Sequence, residues 1–191
     1  MSNAPKSARS FEKIEIEDLL RLGELALGKI ECAFQKHPDR RELYEDELIG
    51  ICLCQGAADH YLNYGTPETR GIHNFDVWAF YYRKDRIGFW NPESVTADFG
   101  PSKFGRSPLD PKRFTGRRVD IFWRAISAEI ELDPLGPIRR YLAEPETDSS
   151  RALSKNPAIM VWPEMDAGWT IWEPPRSVKP LPARFEWTRK R

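Results

Sequence analysis

The apolar positions change period along the chain, and each change marks an element. In IEIEDLLRLGELALGKIECAFQK, residues Ile16, Leu19, Leu20, Leu27, Ile30 and Phe34 recur near helical spacing, with Glu17 and Asp18 at the start and Lys36 near the end. That pattern predicts a long amphipathic helix over about residues 16–36. A charged stretch carrying Pro38 follows, then the short apolar run LIGICLCQ, rich in β-compatible residues, and GAADHYL, which turns helical. The segment HNFDVWAFYYR alternates Phe75, Val77, Ala79 and Tyr81 with Asn74, Asp76, Trp78 and Phe80. Because both of its sides are mostly apolar, an internal strand is expected. RRVDIFWRAI predicts a second such strand, with Val119, Ile121 and Trp123 opposite Arg118, Asp120 and Phe122. Between them, residues 91–118 are rich in Pro and Gly and predict a long loop. DPLGPIRRYLAE carries helix-starting residues, PAIMVWP fits a short strand, and the Pro- and Trp-rich end reads as extended.

These elements predict an α+β fold of α/β type, a mixed β-sheet flanked by helices, within a single domain spanning residues 1–191. Within it, the helix of about 16–36 stands near the start and an extension over about 160–191 closes the chain. Composition agrees with a folded domain: 40% of residues are hydrophobic and 30% charged. Lys+Arg and Asp+Glu both number 29, so no whole-molecule field would hold the chain on nucleic acid or an acidic membrane, and any such binding must be local. The opening MSNAPKSARS lacks a signal-peptide apolar core, and no run is long enough to span a membrane, so a cytoplasmic protein is expected. The three cysteines Cys32, Cys52 and Cys54 are expected reduced and buried, since their number and spacing suit neither a disulfide framework nor a Cys-x-x-Cys site.

Candidate chemistry gathers on the internal strands. Asn74 and Asp76 project from one face of one strand, and Asp120 lies on a strand that could run alongside. Gly56 sits where a strand turns into a helix, where a backbone approaches a ligand closely and free N–H groups point at an anion. Together they form an anion cradle beside carboxylates able to hold Mg²⁺, which would bridge them to phosphate oxygens.

The series CQGAADHYL, HNFDVWAF and GRRVDIFWRAI resembles the nucleotidyltransferase superfamily, whose pattern is a Gly-Ser turn, an Asp-hydrophobic-Asp strand and a later strand with a third acidic residue. The likeness covers roughly residues 45–130 and is strongest to small bacterial nucleotidyltransferase-like proteins. It implies that the acidic groups bind Mg²⁺, that the glycine turn holds a nucleoside triphosphate, and that a nucleoside monophosphate passes to an acceptor hydroxyl with release of pyrophosphate. Position by position, it makes Gly56 the turn glycine, Asp76 the second acid of the pair and Asp120 the third. Ala57 replaces the usual serine, leaving only its backbone N–H for phosphate, and Asn74 replaces the first metal-binding aspartate, offering a carbonyl oxygen without charge. Such a loss predicts either a weakened enzyme or a catalytically degenerate protein acting as a binding or regulatory module. The acceptor is left open among a protein side chain, RNA and a small molecule.

Residues 96–118 hold six basic groups against two acidic ones, and within them Lys103 and Arg106 are candidates for nucleotide phosphates or a nucleic-acid acceptor. The alternative for Asp76 and Asp120 is structural ion pairing with Arg117, Arg118 or Arg124. His73, beside Asn74, is a further candidate for proton transfer, whereas His37 and His60 show no metal-ligand spacing. The chain has neither a G-x-S-x-G elbow nor a Gly-x-x-x-x-Gly-Lys phosphate loop.

Overall fold

Why the predicted helix starts where it does is visible in its first turn: the Glu15 N–H donates to Asp18 Oδ2 at 2.7 Å, closing one of the open donors of the helix end. The computed structural model describes residues 9–84, 92–99, 103–104, 117–127 and 133–175. Within them run α1 (Ile16–Lys36), α2 (Pro38–Tyr44), β1 (Leu48–Cys54), α3 (Gln55–Leu62), β2 (Phe75–Tyr82), β3 (Glu93–Ala97) and β4 (Arg117–Ile126). After these come α4 (Gly136–Ala143), α5 (Asp148–Leu153), β5 (Ala158–Trp162), a 3₁₀ turn (Glu164–Asp166) and β6 (Thr170–Trp172).

All six strands form one sheet in the order β3-β4-β2-β1-β5-β6. β2 and β4 are parallel, while every other neighbouring pair is antiparallel. The fold is therefore α+β with a mixed sheet, as the alternating patterns predict. The strand period assigns its two faces. Leu53, Phe75, Val77, Ile121 and Ile159 pack under α1 and α3, and Cys52, Cys54, Phe80 and Met160 pack under α4 and α5. Each fully buried Leu or Ile contributes about 1.5–3 kcal/mol relative to exposure, so both layers matter to stability. On α1 the buried stripe is Leu19, Leu22, Ala26, Ile30 and Ala33, while Ile16 is exposed at the entry of the helix.

Three elements differ from the expectation. The charged stretch carrying Pro38, for which the pattern predicts no element, forms α2, and Pro38 begins it because a proline at the first helical position loses no hydrogen bond. ESVTA, inside the expected loop, is the edge strand β3, paired with β4. The DSSRAL segment forms α5, capped by Thr147, whose Oγ1 accepts the Ser150 N–H at 3.1 Å. At the other end, β5 lies between β1 and β6, so the sheet runs well past residue 130. Residues 176–191, half of the expected extension, lie outside the described residues.

Cys52 and Cys54 are buried on one sheet face, whereas Cys32 is exposed. The expectation for Cys32 is corrected by helical geometry: it falls off the stripe that ends at Ala33 and Phe34. No helix among the described residues is long and apolar enough to cross a membrane.

Candidate functional site

The parallel register of β2 and β4 sets Asp76 directly opposite Asp120. On the other side of β2, Cys54 at the end of β1 stands opposite Asp76, so α3 springs from the same end of the sheet as the acids. Asn74, just before β2, joins the two carboxylates. Its Nδ2 donates to Asp120 Oδ2 at 2.8 Å and to Asp76 Oδ1 at 3.2 Å. Asn74, Asp76 and Asp120 are thus brought together, with Gly56 and Ala57 two and three residues past the neighbouring strand position.

The two carboxylates live in different surroundings. Asp120 is 7% exposed and well provided: its Oδ1 accepts from Arg118 Nε at 2.7 Å and from the Ser94 hydroxyl of β3, and its Oδ2 accepts from Asn74. Arg118 Nη2 also donates to Ser94 Oγ at 3.2 Å. The ion pair with Arg118 is the structural partnership foreseen as the alternative, while Arg117 is buried and donates instead to the Phe104 carbonyl at 2.7 Å. Asp76 has the Asn74 amide as its one hydrogen-bond donor among the described residues. Burial, then the facing charge of Asp120, push its carboxyl up to about 6, against the smaller pulls of Asn74 and Arg118. Two facing carboxylates with one arginine leave an unbalanced negative charge at the site.

Those oxygens fit a hard divalent cation. Mg²⁺ is commonly held by one or two carboxylates and completed by water and substrate phosphates, which is what Asp76 and Asp120 offer. Asn74 would have to rotate its amide to present Oδ1, because Nδ2 now faces both acids. No cluster of three or more His, Cys, Asp or Glu side chains occurs among the described residues, so any metal here depends on the two aspartates, an amide and its ligand's own oxygens.

At the β1–α3 corner the left-handed residue is Gln55, with φ of 58°, and Gly56 is already helical. This corrects the assignment of the turn to Gly56. The glycine has another distinction: a Cβ added there would meet nothing within 4 Å, so its bare backbone borders open space. The first turn of α3 has no side-chain cap and no acidic residue, which leaves its N–H groups available to an anion. Ala57 has no polar side-chain group to offer, and the residue as a whole is 1% exposed with its methyl in the core, so the exposed backbone at this turn is that of Gly56.

The remaining candidates lie elsewhere. Lys103 is on the α1 side, where its Nζ pairs at 2.5 Å with Oδ2 of Asp18, a residue 5% exposed; a buried carboxylate has claimed the cation. Arg106, together with Lys112, Arg113 and Gly116, lies outside the described residues. His73 is exposed beside Asn74. His60 is buried, with its Nε2 2.9 Å from the Glu12 carbonyl, and Asp59 bonds the Asn63 amide at 2.9 Å, so both serve the local structure. Sequence reasoning missed Ser94 and Gln55. Ser94 was traceable through the alternation of ESVTA, while a glutamine with positive φ leaves no signal.

Neither a protein-family model, nor a curated protein, nor a solved structure matches this chain. The likeness to nucleotidyltransferases therefore rests on the residues themselves.

Proposed function

We propose that this corner of the sheet binds a nucleoside triphosphate with Mg²⁺, and that the chain is a nucleotidyltransferase-like protein passing a nucleoside monophosphate to an acceptor hydroxyl. The carrying observation is the in-register placement of Asp76 and Asp120 on adjacent parallel strands, one strand away from an uncapped helix start. In this reading Asp76 and Asp120 hold the metal, Asn74 turns its carbonyl toward it, and the backbone N–H of Gly56 receives a phosphate oxygen. Mg²⁺, when bound, neutralises the charge that develops on the phosphates. The protein's part is to fix the α-phosphate against the acceptor oxygen, where orientation supplies much of the rate. Such a protein would act in the cytoplasm, where its three thiols stay reduced.

A second reading has its own observation. Asn74, Ser94 and Arg118 already satisfy Asp120 without a metal, as expected of a degenerate site that binds a partner or nucleotide and no longer turns over. Isothermal titration of adenosine triphosphate with and without Mg²⁺, repeated on Asp76→Ala, tests the site. Metal-dependent binding that the substitution abolishes supports it; no binding under either condition refutes it. Pyrophosphate release then separates the two readings. Turnover by the native chain establishes the transferase, whereas turnover by Asn74→Asp alone establishes a degenerate descendant.

A further inference from the structure

The face of β4 that carries Asp120 reads Arg118, Asp120, Phe122, Arg124, so Phe122 follows the acid by two residues, about 6.6 Å along the strand. Phe122 is in register with Trp78 of β2, and their rings stack with centroids 4.6 Å apart and planes 14° from parallel. The guanidinium of Arg124 lies 5.5 Å from the Trp78 ring centre. Helix α4 covers the far end of these strands, where Tyr141 meets Phe80 edge-on at 6.0 Å, and Phe122 stays half-buried between that cover and the acids. Trp78 is 8% exposed, yet neither its indole Nε1 nor Arg124 Nε has a hydrogen-bond partner among the described residues. Both nitrogens are enclosed, so what this cluster offers a ligand is the half-buried Phe122 ring and not these donors.

We propose that Phe122, backed by Trp78, is a stacking platform for a nucleobase held beside the acidic pair, with Arg118 and Arg124 flanking it for the phosphates of the same nucleotide unit. The platform rests on the reading of Asp76 and Asp120 as a nucleotide site and adds to it a location for the base. That base belongs either to the bound triphosphate or to the end of a single-stranded acceptor.

Isothermal titration of the full chain and of Phe122→Leu, which keeps apolar bulk and removes the π-face, separates these sources. The probes are adenosine triphosphate, inorganic tripolyphosphate and an oligoadenylate RNA of about eight nucleotides, each with Mg²⁺. Loss of one base–aromatic stack should weaken binding by about 5- to 150-fold. If that loss falls on adenosine triphosphate but not tripolyphosphate, the base is the nucleotide's own. If it falls on the RNA alone, the base is the acceptor's. Phe122→Trp should restore binding in either case, and thermal unfolding of each variant guards against misfolding. Unchanged affinities for both base-bearing probes overturn the platform while leaving the phosphate site standing. Failure of tripolyphosphate to bind the native chain removes the phosphate site, and the RNA result alone then decides the platform. A dimer found by sedimentation in the native chain and lost in Phe122→Leu would give this face to a second copy and overturn the proposal.

Discussion

Gly56 and Gln55 are neighbours at one corner but answer to different constraints. A Cβ at Gly56 would meet open space, and its backbone is helical, so nothing in the fold requires glycine there. Gly56→Ala should therefore leave stability unchanged or raise it by up to about 1 kcal/mol, the helix-propensity difference. The same methyl would intrude on a bound phosphate, so triphosphate affinity should fall while the melting temperature does not. Measuring both on one variant separates a ligand's need for glycine from the fold's. At Gln55, φ of 58° is a conformation that costs a side-chain-bearing residue roughly 1–2 kcal/mol. The thiols supply a further check at this scale. Cys52 is buried, which pushes its thiol up to about 12, and burial, with Cys52 and Asp76 nearby, holds the Cys54 thiol well above its ordinary value, whereas Cys32 is exposed. A thiol-reactive dye should modify one cysteine in the native chain and all three after denaturation.

Among the elements, the contact of α1 with β5 is the least forgiving. A Cβ built on Gly23 would lie 2.6 Å from the Val161 carbonyl oxygen, a strand backbone atom that cannot step aside as a side chain could. Gly23→Ala should cost about 1–3 kcal/mol, read by urea unfolding, although alanine is the better helix former. The contrast with Gly56 shows what sequence conveys. Helical spacing from Leu19 to Phe34 and alternation in β2 and β4 made these elements legible, because burial imposes periods of 3.6 and 2 on apolar residues. The opposition of Asp76 and Asp120 was readable only as a possibility, since the alternation assigns faces but not which strands are neighbours. Glycine as a letter does not say whether it sits against Val161 or against open space. Nor could composition reveal that Lys103 is committed to Asp18, eighty-five positions away in the chain. Such pairings belong to tertiary packing and leave no local period.

For the molecule as a whole, the acidic pair should appear in how stability depends on pH. Asp76 is raised from its ordinary 3.8 to about 6 in the fold, so between those values the folded chain binds more protons than the unfolded one. Stability must then fall as pH rises through about 4 to 6, and the full penalty persists above that window. Roughly two pKa units at 1.36 kcal/mol each place it near 3 kcal/mol, a large part of a typical domain's stability. Glu45, which Arg41 holds below its ordinary 4.5, acts with the opposite sign and overlaps only the lower edge of this window, so the fall above pH 4.5 belongs to Asp76. Asp76→Asn removes the charge and keeps a hydrogen-bonding group beside Asn74. Thermal unfolding should find the variant equal to the native chain near pH 4 and more stable by about 1–3 kcal/mol at pH 7, with the slope between them abolished. Mg²⁺ should do for the native chain what the substitution does, raising its melting temperature at pH 7 while leaving Asp76→Asn nearly unmoved, because a cation relieves only a charge that is present. A native chain that gains stability from the substitution but nothing from Mg²⁺ would carry the electrostatic cost for some ligand other than a metal-bound phosphate. Equal stability of the two chains across the whole range would mean that Arg118 and Asn74 already balance the pair, and the argument for a site built on its unbalanced charge would fail.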